Sequence, residues 1–404
     1  MSDDGHSTSD DGSITMLSPP SQWQQAAYAR RRRKRLTDWF ATAARPLPWR
    51  EDPTPYKVWI SEIMCQQTQI ATVLPYFHRF LDRYPSVAEL AAADEDELMR
   101  LWEGLGYYRR ARSLKRAAEQ IMDRHEGRFP TRINDVLDLA GIGRYTAGAI
   151  LSISRNQPHP ILEGNTVRVF SRWIGLQGDV KSKTAQSTLW SVAESMLPRR
   201  VTRDRECGPA AINQAAMELG ALICTPRDPS CHRCPVTRWC AAHSAGLQRE
   251  IPGKVSRIQY EARTEFALVL RDRSATKDDL LVHQIERGQR FAGMWDLPRV
   301  GSPHANSPET ACDWLAMQLG VTTSPPPLSP GARLTTIKHG VTKYRMTLHV
   351  HDVGGEIPDV VKSSTWQWIP LTELAERPMS VTTRKIVRLL QHSPQHLLFD
   401  EQRT

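Results

Sequence analysis

Four of the chain's seven cysteines fall within seventeen residues, in the segment CTPRDPSCHRCPVTRWC. Cys224, Cys231, Cys234 and Cys240 follow the spacing C-x6-C-x2-C-x5-C. Four thiolates on one compact loop suit a [4Fe–4S] cluster, because each iron takes one soft ligand from the protein. Zinc sites tend to come as two C-x2-C units, so the spacing predicts iron–sulfur ahead of zinc or free thiols. Arg227, His232, Arg233 and Arg238 stud the same loop and would give it a basic surface suited to phosphate. Cys65, Cys207 and Cys312 stand alone and read as core residues. A second candidate lies in LAGIGRYTAGAI (139–150), where Gly141 and Gly143 flank Ile142 ahead of an apolar helix. Glycine there permits a tight turn and close backbone approach, so amides at a helix start can meet a phosphate. A third is Glu62, set between apolar neighbours in WISEIM on a predicted helix, where desolvation would raise its pKa toward an acid's role.

The elements that must position these groups are mostly helical up to about Ser244. LPYFHRFLDRYP (74–85), DEDELMRLWEGLG (94–106) and ARSLKRAAEQIMDRHEG (111–127) repeat their apolar residues at three- and four-residue spacing, between short turns. TAGAILSIS (146–154) and CGPAAINQAAMELGALIC (207–224) carry longer apolar runs and read as helices buried on more than one side. Residues 245–262 lack periodicity and predict a linker. Strand-like segments follow at 266–272, 280–286, 334–339, 344–353 and 366–370, with helices at 308–320 and 382–392 among them. The expected architecture is an all-α domain over 22–244 and an α+β domain over 263–393. A disordered tail is expected at 1–21, which is acidic and polar, and a C-terminal tail at 394–404.

The formal charge is +9, and the four aspartates Asp3, Asp4, Asp10 and Asp11 oppose it from the first tail. A basic folded portion is consistent with a polyanionic partner, since Lys and Arg contacts to phosphate release condensed counterions. The run Arg30–Arg35 is the densest basic patch and reads first as the solvated face of a helix. No run approaches eighteen apolar residues, so a membrane partner is not expected. The first residues lack the basic start and apolar core of a secretory signal, which argues against a disulfide framework and for a reducing, cytoplasmic compartment; association with the nucleoid, as a monomer, is a separate expectation.

RPLPWR (45–50), PYKVWISEIMCQQTQIATVLPYF (55–77), WEGLGYYRRAR (102–112), the hairpin, ILEGNTVRVFSR (161–172) and the cysteine loop occur in that order. In these blocks the chain resembles the helix–hairpin–helix glycosylases of the endonuclease III superfamily, and within it the MutY family of adenine DNA glycosylases. The resemblance implies excision of adenine from mispairs in double-stranded DNA by cleavage of the N-glycosidic bond, with an iron–sulfur cluster on the four cysteines. Such cleavage needs a proton for the leaving base and stabilisation of a cationic sugar, a task suited to two carboxyl groups in different environments. By resemblance Glu62 is the general acid. The second carboxyl departs from the family, which has Asp-Gly-Asn where this chain reads Glu163-Gly164-Asn165. Glutamate keeps the charge but reaches further, and ångström-scale misplacement can cost about a hundredfold in rate. Glu163 is therefore expected to steady or trap the sugar cation with altered efficiency, beside the alternative of a purely structural helix-start carboxylate. Lyase relatives carry a lysine where this chain has Tyr145, so a one-step glycosylase without an amine nucleophile is implied.

The resemblance also makes Tyr107 the wedge that enters the duplex, and Gln66, Gln67 and Thr68 the loop that fills the vacated space. It gathers Arg45, Leu47, Trp49, Arg50 and Gln214 around the extruded adenine, with Trp49 as a stacking face and the arginines on a purine edge. The C-terminal part resembles the Nudix-like domain that reads 8-oxoguanine in this family, carried by QRFAGMWDLPRV (289–300). It lacks the acidic signature of pyrophosphate hydrolysis, so binding without hydrolysis is implied. The family's Phe-Ser-His loop is replaced by Val341, Thr342 and Lys343, of which Thr342 retains a hydroxyl. Two other readings stand beside adenine excision: a mismatch glycosylase acting on thymine opposite guanine, and a catalytically weakened lesion-binding protein.

Overall fold

The computed structural model describes residues 14–17, 26–198, 207–253, 259–272, 278–286, 288–289, 291–321, 328–355 and 366–392. The chain divides into two compact units, Met1–Ala92 with Ser113–Arg257 and Ala93–Arg112 with Ile258–Thr404. The segment 93–112, expected within the helical domain, thus groups with the C-terminal part of the chain.

Helices dominate the first unit, as the apolar periodicity requires. Helix Pro55–Cys65 begins at Thr54, whose side chain accepts from the Lys57 amide, with proline at its first position. Helix Arg144–Arg155 ends at Asn156 in the left-handed region, and Gly164–Ile174 ends the same way at Gly175. Leu36, Phe170, Trp173, Leu189, Ile212 and Leu219 share one core in this unit. Helices Gly164–Ile174 and Pro209–Leu222 pack against each other, and a Cβ on Gly220 would stand 2.6 Å from Asn165 Cβ. Only glycine lets the two backbones come this close, which sets the start of helix Gly164–Ile174 beside its partner.

Three sequence expectations change here. Part of the supposed tail is ordered: β1 (Thr15–Met16) pairs antiparallel with β2 (Leu176–Gln177), because the Leu17 side chain fills the space over Gly175. Residues 1–13 and 18–21 lie outside the described residues. The expected linker is partly core, since Ile251 is 2% exposed and its carbonyl accepts Arg172 Nε at 2.8 Å. In the basic run Arg30–Arg35, Arg32 is buried while Arg30, Arg31, Lys34 and Arg35 face outward. The tail expected at 394–404 lies outside the described residues.

The second unit holds a mixed sheet in the order β5-β4-β3-β8-β7, with β6 also on β3 and β9 on β4. These strands are β3 (Glu261–Asp272), β4 (Asp279–Gln284), β5 (Trp295–Asp296), β6 (Arg299–Gly301), β7 (Ser329–Val341), β8 (Tyr344–Gly354) and β9 (Trp366–Pro370). β3 and β8 run parallel at the centre, and the remaining pairs are antiparallel. Alternate β3 residues face opposite sides. Phe266, Leu268 and Leu270 pack with helix Pro308–Gln318, and Ala267 and Val269 with helix Val381–Gln391. The unit is thus a sheet with a helix on each face. Among the described residues no helix is long and apolar enough to cross a membrane.

Candidate functional site

Two acidic residues of the first unit lie within electrostatic reach of one tyrosine, and one of them bonds it. Glu62 lies on helix Pro55–Cys65, 8% exposed, and Tyr145 on the first turn of helix Arg144–Arg155 donates its hydroxyl to Glu62 Oε2 at 2.5 Å. Burial pushes the Glu62 carboxyl up to about 7, the Glu163 charge adds to this, and the Tyr145 hydrogen bond and Arg50 hold it back. Burial also raises Tyr145 well above the ordinary phenol range, so it stays a donor.

Glu163 is the N-cap of helix Gly164–Ile174. Its Oε2 accepts the Asn165 amide at 2.8 Å and its Oε1 the Thr166 amide at 2.9 Å, while its own N–H donates to Thr166 Oγ1. Burial raises its pKa, and the two amides and Arg168 oppose the rise. The helix N-terminus favours the anion. Burial pushes both carboxyls up, Glu62 to about 7, but two backbone amides and Arg168 offset part of the rise at Glu163, so Glu62 is the better placed to act as the acid and Glu163 to carry the charge. Because Glu163 also caps, a Glu163→Asn variant is the informative one: asparagine caps about as well as an acidic residue, so stability should hold within about 1 kcal/mol. Base release should nonetheless fall at least tenfold in single-turnover assays, by about 1.4 kcal/mol or more of lost transition-state stabilisation. An unchanged rate would leave Glu163 as a cap alone.

Asn165 Oδ1 accepts Arg168 Nη2 at 2.7 Å, and the same guanidinium donates to the carbonyls of Gly220 and Cys224, each at 2.7 Å. Arg168 therefore ties the residue beside Glu163 to the first cysteine of the loop.

The arginines expected on a purine edge are already engaged. Glu218, 1% exposed in helix Pro209–Leu222, accepts Arg45 Nε at 2.8 Å, Arg45 Nη2 at 2.7 Å, the Arg45 amide at 3.0 Å and Arg50 Nη2 at 2.9 Å. These donors hold the Glu218 carboxyl down at about 2 against the effect of burial. Arg50 also stacks over Phe40, 5.2 Å from the ring centroid. Trp49 is buried and meets Phe77 with ring centroids 5.0 Å apart at 71°, and Leu47 is buried as well. The half-buried Gln214 donates to the Ala210 carbonyl of its own helix at 3.3 Å. Glu218 escaped the sequence reading, although an acidic residue inside the apolar stretch AAMELGAL is a visible sign of a buried ion pair.

The loop after helix Pro55–Cys65 is set for contact. Gln67 is exposed with φ +56°, and Gln66 and Thr68 flank it, joined by a 3.3 Å bond from Thr68 Oγ1 to the Gln66 carbonyl. A non-glycine residue in the left-handed region stores strain of the kind that gathers at functional loops. In the hairpin, Gly141 has φ +77° and a Cβ there would strike Ser113, whereas the space beside Gly143, the N-cap of helix Arg144–Arg155, is open. In the second unit Tyr107 is 55% exposed with φ +48°, and Thr342 with φ +48° turns β7 into β8. Lys343 beside it pairs with Glu261 at 2.7 Å.

The four loop cysteines are free of disulfides. Arg172, 1% exposed, donates Nη1 to Cys224 Sγ at 3.2 Å and to the Thr225 carbonyl at 2.7 Å, and Cys240 Sγ lies 3.4 Å from the Arg172 carbonyl. Burial, with the nearby sulfurs adding to it, pushes Cys234 up to about 12 and Cys240 up to about 11. Thiols so placed resist becoming thiolates unless positive charge lies among them, so this donor set fits a cationic metal cluster. Among the described residues no three His, Cys, Asp or Glu side chains are grouped to hold a single metal ion.

Residues 60–195 match the HhH-GPD superfamily base excision DNA repair protein family, and residues 267–389 match the NUDIX domain family. An adenine DNA glycosylase of Rattus norvegicus is 30% identical, over 93% of this chain and 81% of the rat protein. One of Buchnera aphidicola subsp. Schizaphis graminum is 39% identical, over 58% of this chain and 66% of the Buchnera protein. Among solved structures, a thermostable thymine-DNA glycosylase is 24% identical with a TM-score of 0.48, over 54% of this chain and 98% of the other.

Proposed function

As this chain belongs to the adenine DNA glycosylase family, we propose that it excises adenine mispaired with 8-oxoguanine or guanine from duplex DNA by hydrolysing the N-glycosidic bond. The observation that carries the reading is the carboxyl pair: Glu62 buried and proton-retaining with Tyr145 donating to it, Glu163 on the amides of a helix start. Glu62 gives its proton to a ring nitrogen of the extruded adenine. The glycosidic electron pair then leaves with the base, and the Glu163 carboxylate steadies the positive charge on the sugar. Water adds to the sugar carbon and returns its proton to the site, restoring Glu62. Extrusion costs a few kcal/mol of stacking and pairing, which Tyr107 and the loop Gln66–Thr68 offset by filling the vacated space. The amides after Gly141 and Gly143 receive a backbone phosphate. Thr342, on the turn from β7 to β8, is the candidate contact to the opposite base. Cys224, Cys231, Cys234 and Cys240 would hold a [4Fe–4S] cluster, which when bound would tie the four thiolates to one centre and so order the loop whose arginines face phosphate.

A panel of duplexes carrying A:8-oxoguanine, A:G, T:G and C:8-oxoguanine, treated with alkali to reveal abasic sites, tests the reading. Adenine release is expected from the first two alone. Thymine release from T:G, or tight binding with no base released, would overturn it. Since Tyr145 is no amine, borohydride reduction during turnover should trap no covalent protein–DNA adduct. A trapped adduct on denaturing gels would show a lyase step and refute the one-step mechanism.

A further inference from the structure

The turn that carries Tyr107 is fastened to the sheet-and-helix part of its own unit by side chains that sequence reasoning passed over. Helix Glu95–Trp102 leads into the turn, and Trp102 Nε1 donates to the Gly106 carbonyl at 3.1 Å. Arg110 donates to the carbonyls of Leu105 and Gly106 at 2.9 and 3.1 Å, and its guanidinium lies 5.7 Å from the Tyr107 ring centroid. The turn is therefore closed on itself, yet Tyr107 stands out from it, more than half exposed.

At the end of the leading helix, Glu103 accepts two bonds from one guanidinium, Arg384 Nε at 2.8 Å and Nη2 at 2.7 Å. Both side chains are largely buried, at 17% and 14% exposure. Arg384 sits on helix Val381–Gln391 and gives two further donors to the carbonyls of Ala375 and Arg377, which hold its fork in place for Glu103. A planar fork held this way gives direction as well as attraction. Around the pair, Arg100 Nη1 donates to the Glu376 carbonyl at 2.9 Å, Arg112 donates to the Ala292 carbonyl, and the Tyr108 ring meets Phe291 edge-on at 5.8 Å. Phe291 and Ala292 belong to QRFAGMWDLPRV, Ala375, Glu376 and Arg377 to the segment between helices Leu371–Leu374 and Val381–Gln391, and Arg384 to the second of these helices.

We propose that the Glu103–Arg384 pair is a positioning device: it anchors the Tyr107 turn on the Nudix-like part of the chain and so sets how the wedge is presented to the duplex. The inference rests on the wedge role of Tyr107 given above. It assigns the C-terminal part a task in base extrusion, separate from reading the opposite base.

The test is a double-mutant cycle of Glu103→Ala and Arg384→Ala in the full, cluster-loaded chain, with Tyr107→Ala alongside. Extrusion is read by the fluorescence of 2-aminopurine at the target position opposite 8-oxoguanine, and chemistry by single-turnover base release. Each single variant should lose most of the fluorescence gain, and release should slow by up to about a hundredfold. The double variant should lose no more than either single one, because both act through one contact. Release from a target placed opposite an abasic site, already unpaired, should slow far less. Additive losses, unchanged fluorescence, or equal slowing on paired and unpaired targets would overturn the proposal. If Arg384→Ala melts earlier than the parent, Glu103→Gln, which keeps the shape of the side chain, decides the matter with the same two readouts. Failure of the wedge reading looks different: Tyr107→Ala would then leave the fluorescence gain intact.

Discussion

Glu62→Gln should release adenine about a thousandfold more slowly than the parent in single-turnover assays, within the span that a positioned general acid contributes. Glutamine keeps the shape and can still accept from the Tyr145 hydroxyl, so binding and fold should survive while the transferable proton is gone. The parent's pH profile carries the same signature. Burial lifts Glu62 from 4.5 to about 7, so the acid form prevails below neutrality and base release should decline as pH rises through about 7. Stability moves the same way. A carboxyl that holds its proton more tightly folded than unfolded stabilises the fold below the unfolded pKa, and that contribution is lost as pH climbs through the folded pKa. Between 4.5 and about 7 the loss is on the order of 3 kcal/mol at about 1.4 kcal/mol per unit. Glu62→Gln removes it, so the variant should melt above the parent at pH 8 and lose that advantage toward pH 4.5. A glutamine variant that excises at the parent's rate, or a release rate that climbs through neutrality, would remove Glu62 from the acid's role.

The sequence showed which residues to watch more clearly than it showed what holds them. Helices and strands were legible because their apolar patterns are simple: spacings of three and four in LPYFHRFLDRYP, and a short unbroken apolar run in FALVL, whose two faces both meet helices. Glu62 and Tyr145 were legible from motifs, and their 2.5 Å contact needed only two helices to cross. The partners were hidden. Trp49 reads as a stacking face, and its edge contact with Phe77 appears only in the fold. Arg45 and Arg50 read as ligand-binding because their common acceptor, Glu218, lies some 170 positions away. The fastening of Tyr107 to residues beyond 290 was invisible for the same reason. Local propensity is carried by neighbours in sequence, whereas ion pairs between distant segments exist only once the chain has folded.

The largest stability effect should come from one of those hidden partners. Glu218→Gln leaves two guanidinium groups without their counter-charge, and breaking a buried pair from one side costs about 3–5 kcal/mol. The geometry puts this site toward the upper part of that span, since the carboxylate accepts four bonds from Arg45 and Arg50 and is 1% exposed. The pH dependence identifies the charge as the cause. A carboxyl held at about 2 when folded and 4.5 when free stabilises the fold above 4.5 and loses that contribution as pH falls toward 2. The gap in melting temperature between parent and variant should therefore be full at pH 6 to 8 and narrow steadily below 4.5. A gap that persists undiminished at pH 3 would mean that lost packing, and not the ion pair, had been removed. Function should respond separately. With Glu218 neutral, Arg45 and Arg50 are free to turn toward the extruded base or toward phosphate, so duplex affinity should rise with a steeper salt dependence while base release slows. An anionic residue in a site built for a polyanion is electrostatically adverse on its own, and its presence here is explained by the two cations it holds in place.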